Sequence, residues 1–236
     1  MDKRGLITIL LIGALAGLGG YLYFSLRPSI GRSARLAEWL RNPSAHPDFM
    51  VQAGKPCGNA PFLFPSNGFI GYIWDDSFQA GHHHQGIDIY GGSAPGRTAV
   101  LSAYPGFLTR LPEWKSAVIV RVPSDPLQPG RSIWLYYTHM ADLNGYSFIV
   151  PDFPPGTYDK PVEAGTLLGY QGVYSGDPDN PTGVHLHFSI VLEDGNGGFR
   201  NELDINNTLD PTPYLGLPLN AKTSEGGMII CQGASQ

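Results

Sequence analysis

The sequence predicts an all-β, antiparallel domain behind an apolar N-terminal segment, and three observations carry that expectation. Short runs rich in Val, Ile, Tyr, Phe and Trp recur between turn-forming residues from Gly68 to Ile190. The 236 residues include 31 glycines and 21 prolines yet remain 42% hydrophobic, so the chain is dense in turns while keeping enough apolar residues for a sizeable core. No helix-period run interrupts the strand-like stretches that follow Asp88. Charged residues make up 15% and the formal net charge is -5, which argues against an electrostatic surface for nucleic acid. No internal repeat, phosphate-binding glycine loop or redox Cys-x-x-Cys motif is present.

Taken in order, Met1-Asp2-Lys3-Arg4 is a basic start, followed by an uncharged stretch from Gly5 to Leu26. A bilayer core needs about 20 apolar residues, whereas a cleavable signal has an apolar core of about 7–15. Apolar sequence continues past the small residues Ala14-Leu15-Ala16 through Phe24, so an uncleaved single-pass anchor over Leu6 to Leu26 is the better reading, with secretion after signal cleavage as the alternative. Lys3 and Arg4 on one side are balanced by Arg27, Arg32 and Arg35 on the other, and charge alone does not set the orientation.

Ser33 to Arg41 reads as a short amphipathic helix with Leu36, Trp39 and Leu40 on one side, packed on the domain, and Asn42-Pro43 ends it. His46 reads as a loop residue. Strand-like runs then fall at Gly68 to Trp74, Thr98 to Ala103, Gly106 to Leu111, Ala117 to Val122 and Ser132 to Tyr137. Proline-rich stretches at Pro123 to Arg131 and Pro151 to Pro161 look like insertions. Glu193 to Gly198 reads as a hairpin turn, since its acidic residues lack the spacing of a calcium loop, and Leu209 to Leu215 as an extended tail.

The chemistry concentrates in three of these runs. In Gly183-Val184-His185-Leu186-His187-Phe188-Ser189-Ile190 the period of a strand places His185 and His187 on one face and Leu186 and Phe188 on the other. In His84-Gln85-Gly86-Ile87-Asp88 the same period brings His84 and Asp88 to one face, with Gly86 between them leaving room for an ion, while His83 points away. Either closing histidine added to that pair gives two nitrogens and one carboxylate oxygen. Three protein ligands and an open position are the pattern of a catalytic zinc. His139, at the end of Ile133 to Thr138, then becomes a candidate for proton transfer. His82 and His83 are open to a supporting role, but simple exposure to solvent is the plainer reading.

These motifs resemble the lysostaphin/LytM family of zinc endopeptidases, which cut peptide bonds in bacterial peptidoglycan. The likeness lies in the His84-x-x-x-Asp88 pair, in Tyr137-Thr138-His139, and in His185-Leu186-His187-Phe188, with Val162 to Tyr170 matching the turn and strand before the last motif. It covers roughly residues 58 to 192. The resemblance implies a barrel-sandwich hybrid (duplicated hybrid motif) fold and one Zn²⁺ per chain held by His84, Asp88 and His187, with His139 and His185 off the metal as catalytic groups. Choosing His187 over His185 as the ligand rests on the family pattern, because period two cannot separate them. It further implies a peptidoglycan or other peptide substrate and a catalytic domain outside the bacterial cytoplasmic membrane. A non-catalytic peptidoglycan-binding or hydrolase-regulating module of the same fold is the alternative, and such modules usually lack ligands.

The chain thus divides into a basic start and anchor (1–26), a linker with a short helix (27–56), the endopeptidase domain (57–192) and a C-terminal extension packed on or tied to it (193–236). Cys57 and Cys231, the two cysteines, bracket that domain and are expected to be bridged in an oxidising compartment. The sequence says nothing of the oligomeric state.

Overall fold

The computed structural model describes residues 13–20, 32–76, 81–217 and 231. Ten strands follow one another: β1 (Phe69–Tyr72), β2 (Ile87–Tyr90), β3 (Ala99–Leu101), β4 (Gly106–Arg110), β5 (Val118–Val122), β6 (Ile133–Thr138), β7 (Thr157–Val162), β8 (Leu167–Tyr170), β9 (Leu186–Leu192) and β10 (Thr208–Leu209). All pair antiparallel, as the alternating runs imply. The main sheet has the order β1-β2-β9-β6-β5-β4-β7, with β10 added beside β9, and β3 and β8 form a separate ribbon.

Period-two alternation explains how one sheet serves two purposes. Ile87 and Ile89, Val118 and Val120, Leu135 and Tyr137, and Leu186, Phe188 and Ile190 all enter one apolar core. The β3–β8 ribbon contributes Val100 and Leu168 to the same core, and Phe62, Phe64, Met140 and Phe153 from the connections complete it. Phe188 is wholly buried. Burial of a side chain of that size contributes about 2–3 kcal/mol. The opposite face carries Asp88, Tyr136, Thr138 and His187 towards a groove, and farther along it Ile119, Trp134 and Val191 form a smaller apolar cluster.

Several sequence expectations are corrected here, and one lies largely outside the described residues. Residues 13–20 are helical, but the rest of the expected anchor from Leu6 to Leu26 lies outside the described residues; among the described residues no helix is long and apolar enough to cross a membrane. The helix over residues 32–41 packs on β1 through Leu36 and Trp39, which join Phe69, whereas Leu40 stays 44% exposed instead of sharing their side. The second half of the stretch from Pro151 to Pro161 is β7, which pairs with β4 at the sheet edge. An edge tolerates Pro161, whose missing N–H would interrupt a central strand. Pro123 to Arg131 closes the β5–β6 hairpin, where the buried Asp125 carboxylate accepts from Arg131 and from the Tyr214 hydroxyl.

The expected extended tail turns back on itself. Asp210 accepts from the backbone N–H of Thr212 at 2.9 Å, the prolines at 211 and 213 end strand pairing, and Tyr214 and Leu215 sink into the main core. Beyond that point Cys231 is bonded to Cys57, with the two Cα atoms 5.4 Å apart. A bond joining positions 174 residues apart restricts the unfolded chain strongly. Thiol labelling of unfolded, unreduced protein is expected to find no reactive cysteine. Cys57→Ser should lower the stability measured by chemical denaturation by about 2–4 kcal/mol.

Candidate metal centre and its groove

Asp88 and His187 owe their positions to strand pairing. They lie directly opposite each other in the β2–β9 ladder, and Thr138 of β6 faces His187 from the other side. Their neighbours Ile87, Ile89, Leu186 and Phe188 are committed to the core, so both side chains must emerge on the groove face.

His84 arrives differently from what strand period predicts, because it precedes β2 and lies outside any strand. It is fastened to the turn Ile73 to Asp76 instead. Its backbone N–H donates to Asp76 O at 2.9 Å, its carbonyl accepts from Asp75 N at 2.8 Å, and its Nδ1 donates to Ile73 O at 3.0 Å. Gly86 has a different task from the one inferred above. A Cβ there would lie 2.2 Å from the carbonyl oxygen of Phe188, so glycine permits the approach of the chain to β9 and makes no space for an ion.

The three candidate ligand atoms converge. His84 Nε2 is 3.0 Å from Asp88 Oδ1 and 3.0 Å from His187 Nδ1, and His187 Nδ1 is 2.9 Å from Asp88 Oδ1. Donors on a tetrahedral zinc at about 2.0–2.1 Å sit roughly 3.3 Å apart, so a small inward triangle of this kind fits the ion after slight spreading. The chemistry of the set fits as well. Ile73 O can only accept, so the proton of neutral His84 is on Nδ1 and its Nε2 lone pair faces a carboxylate that also only accepts. With both rings neutral, at most one proton, from His187 Nδ1, relieves a cluster otherwise made of lone pairs; a cation satisfies it.

His185 and His139 stand beside this triangle. His185 Nε2 comes within 3.5 Å of Asp88 Oδ1, and its ring is stacked on Tyr90 with centroids 4.9 Å apart. His185 Nδ1 donates to Gly183 O at 2.7 Å and His139 Nδ1 to Tyr174 O at 2.8 Å. Both therefore hold their neutral-state proton on Nδ1 and keep Nε2 for other partners. Their ring centroids are 4.5 Å apart. His139 adopts a left-handed backbone, φ 72°, unusual for a residue other than glycine and a local cost of order 1–3 kcal/mol. Gly172 supports that turn, since a Cβ on it would fall 2.1 Å from Ala141 O and 2.4 Å from His139 O, and it also bridges to His185.

The site opens into a groove of about 750 Å³ whose walls include Tyr72, Tyr90, Trp114, Tyr136, Tyr174 and Glu202. Sequence reasoning missed these walls. Aromatic residues in a strand read as core, and only the alternation on β6, with Tyr137 inward, gave a sign that Tyr136 faces outward. His83 is exposed to solvent, as expected, and pairs its Nδ1 with Asp75 Oδ1 at 2.7 Å, whereas His82 is half-buried and lines the groove.

Electrostatics follow from this crowding. Burial alone would raise Asp88, but the charges of His84 and His185 and hydrogen bonds from His185 and His187 hold its carboxyl well below the usual range. Burial would lower His84, yet Asp88 outweighs it and the ring is raised. Burial pushes His187 down against the pull of Asp88. Burial, together with His185 and His187, depresses His139 to about 3.

No family model matches this chain, and no curated protein matches it. Solved structures do. Lysostaphin, an antimicrobial peptidase from Staphylococcus simulans, is similar at 18% identity and a TM-score of 0.39 over 62% of this chain and 48% of its own. A putative M23 peptidase from Pseudomonas aeruginosa is similar at 20% identity and a TM-score of 0.40, over 78% of this chain and 60% of its own. A catalytic domain of a prophage-encoded M23 protein from Enterococcus faecalis is similar at 21% identity and a TM-score of 0.37, over 62% of this chain and 93% of its own. The chain spans about half of lysostaphin and three fifths of the Pseudomonas protein.

Two measurements test the assembly of the site. Gly86→Ala forces a Cβ into the Phe188 carbonyl and should lower stability by at least about 1–3 kcal/mol in urea denaturation. The second concerns pH in chelator-treated protein. His139 binds its proton near 3 when folded but near 6.5 when unfolded, so between those values the unfolded state holds more protons. Its contribution to stability is therefore lost as pH falls from 6.5 towards 3. Urea midpoints taken across that interval should show a shallower decline in His139→Gln than in the unaltered chain, and equal declines would count against the buried neutral ring.

Proposed function

We propose that this chain is a zinc-dependent endopeptidase that hydrolyses peptide bonds in the stem peptides or cross-links of bacterial peptidoglycan. The observation that carries the hydrolytic half is the convergence of His84 Nε2, Asp88 Oδ1 and His187 Nδ1 within 3.0 Å of one another, beside the imidazoles of His139 and His185, whose Nδ1 atoms are held by backbone carbonyls, and in an open groove. The peptidoglycan half rests on the motif resemblance of His84 to Asp88, Tyr137 to His139 and His185 to Phe188. His84, Asp88 and His187 would hold one Zn²⁺ per chain, and such an ion would supply Lewis acidity for a substrate carbonyl and for water, whose pKa it would bring towards about 7.

The residues of the chain do the rest. His139 and His185 each present Nε2, the atom that accepts a proton from the attacking water or returns one to the departing amine. Their rings are too close for both to carry charge comfortably, so one proton passes between water, the pair and the leaving group. Tyr72, Tyr90, Trp114 and Tyr136 offer flat apolar walls along which an extended peptide can lie. The Cys57–Cys231 bond supports placement of the domain outside the cytoplasm, tethered by the apolar segment from Leu6 to Leu26.

Zinc content and turnover on purified, cross-linked peptidoglycan should be measured on the same four variants. Asp88→Ala and His187→Ala should lose metal and activity together. His139→Ala and His185→Ala should keep near-stoichiometric zinc while hydrolysis falls about 10²–10⁴-fold. Full activity in His139→Ala would overturn the mechanism; a zinc-loaded but inactive parent chain that still binds the wall would favour the non-catalytic module.

A further inference from the structure

Outside the groove, one polar contact is buried more deeply than any group in it. Arg32 at the start of the helix over residues 32–41 is 0% exposed, and its guanidinium forms an ion pair with Asp76, itself 2% exposed. Neither residue lines the groove. A charge pair withdrawn from water in this way is a poor source of stability compared with apolar packing, so its presence calls for another explanation.

The connections of Asp76 supply one. Its carboxylate accepts from Ile73 N at 2.8 Å, its own N–H donates to Ile73 O at 3.1 Å, and its carbonyl accepts from His84 N at 2.9 Å. The same Ile73 carbonyl receives His84 Nδ1. The backbone hydrogen bonds of His84 to Asp75 and Asp76 and the anchor of its Nδ1 thus all belong to the turn that Asp76 closes, and Arg32 holds Asp76 from behind. The helix reinforces this side of the site a second time, since Ser33 Oγ is 3.1 Å from the hydroxyl of Tyr72, a groove wall.

We propose that Arg32 is a positioning residue for the metal centre, acting through Asp76 on the turn that carries His84. The N-terminal helix is then part of the site and not only a link to what precedes it. This inference rests on the zinc-site reading above.

The test uses the full chain and reads metal binding. Zinc affinity by competition with a chromogenic chelator, and the visible spectrum of the cobalt(II)-substituted protein, are compared among four variants. Removal of an outer partner of a metal-binding histidine typically weakens affinity 10–100-fold, and that loss is expected in Arg32→Gln, with an altered cobalt band and partial recovery in Arg32→Lys. Should Arg32→Gln fail to fold, Arg32→Met combined with Asp76→Asn removes both charges while keeping an acceptor for Ile73 N, and it should fold yet show the same loss. Trp39→Ala loosens the same helix without touching the pair and should leave zinc affinity within about twofold. Unaltered zinc affinity in a folded Arg32→Gln or in the double variant would overturn the proposal, as would an equal loss in Trp39→Ala. A parent chain that binds no zinc would instead remove the zinc-site reading.

Discussion

The pairing of β9 with β2 on one side and β6 on the other is the constraint on which the site depends. Leu186, Phe188 and Ile190 are committed to the core, and with them the register of the whole strand. A slip of one residue would turn those three towards water and His187 into hydrocarbon, a double cost that no local contact could offset. Because Asp88 is opposite His187 in the same ladder, the distance between carboxylate and imidazole is set by the sheet itself. The apolar core is therefore what aims the polar side chains, at a place where the two candidate ligands are held opposite each other by the ladder.

Backbone carbonyls do the second part of the work. Ile73, Tyr174 and Gly183 each accept from the Nδ1 of a different histidine, and each thereby selects the tautomer that leaves Nε2 available. A carbonyl cannot reverse its role, so this selection survives changes in pH that would alter a carboxylate partner. The cost is paid locally, in the left-handed backbone at His139 and the requirement for glycine at 172, where Ala141 and His139 press against the chain.

Legibility followed the physics of each feature. Strands were readable wherever one face is buried, because burial writes period two into the sequence; the runs at 106–111, 117–122 and 132–137 coincide closely with β4, β5 and β6. Asp88 and His187 inherit their facing from such strands. His84 was picked out for the wrong reason, since it is brought to Asp88 by a turn whose hydrogen bonds leave no periodic trace, and Gly86 was misread because a close backbone approach looks the same in sequence as an empty space. The groove walls were hardly legible: Tyr72 and Trp114 are apolar residues among many, and only the alternation on β6 marks Tyr136 as facing away from the core. β7 was hidden by the prolines that precede it and by Pro161 within it, which an edge position tolerates.

These two modes of support divide the three candidate ligands unequally. Asp88 and His187 are fixed by a ladder buried on one side, while His84 hangs on a short turn of which Asp75 has a left-handed backbone, φ 66°. An ion bound to all three would therefore do different work on each, since the sheet pair is set by the ladder while His84 depends on its turn. Metal binding and the order of that turn are consequently linked, since free energy spent in fixing the turn beforehand is not drawn from the ion. A second contact that secures the turn from the far side, through Trp74 Nε1 donating to Thr208 Oγ1 at 2.9 Å, fits the same logic. It ties the turn to the segment that adds β10 to β9, so that the least regular part of the centre is anchored to the strand that carries His187.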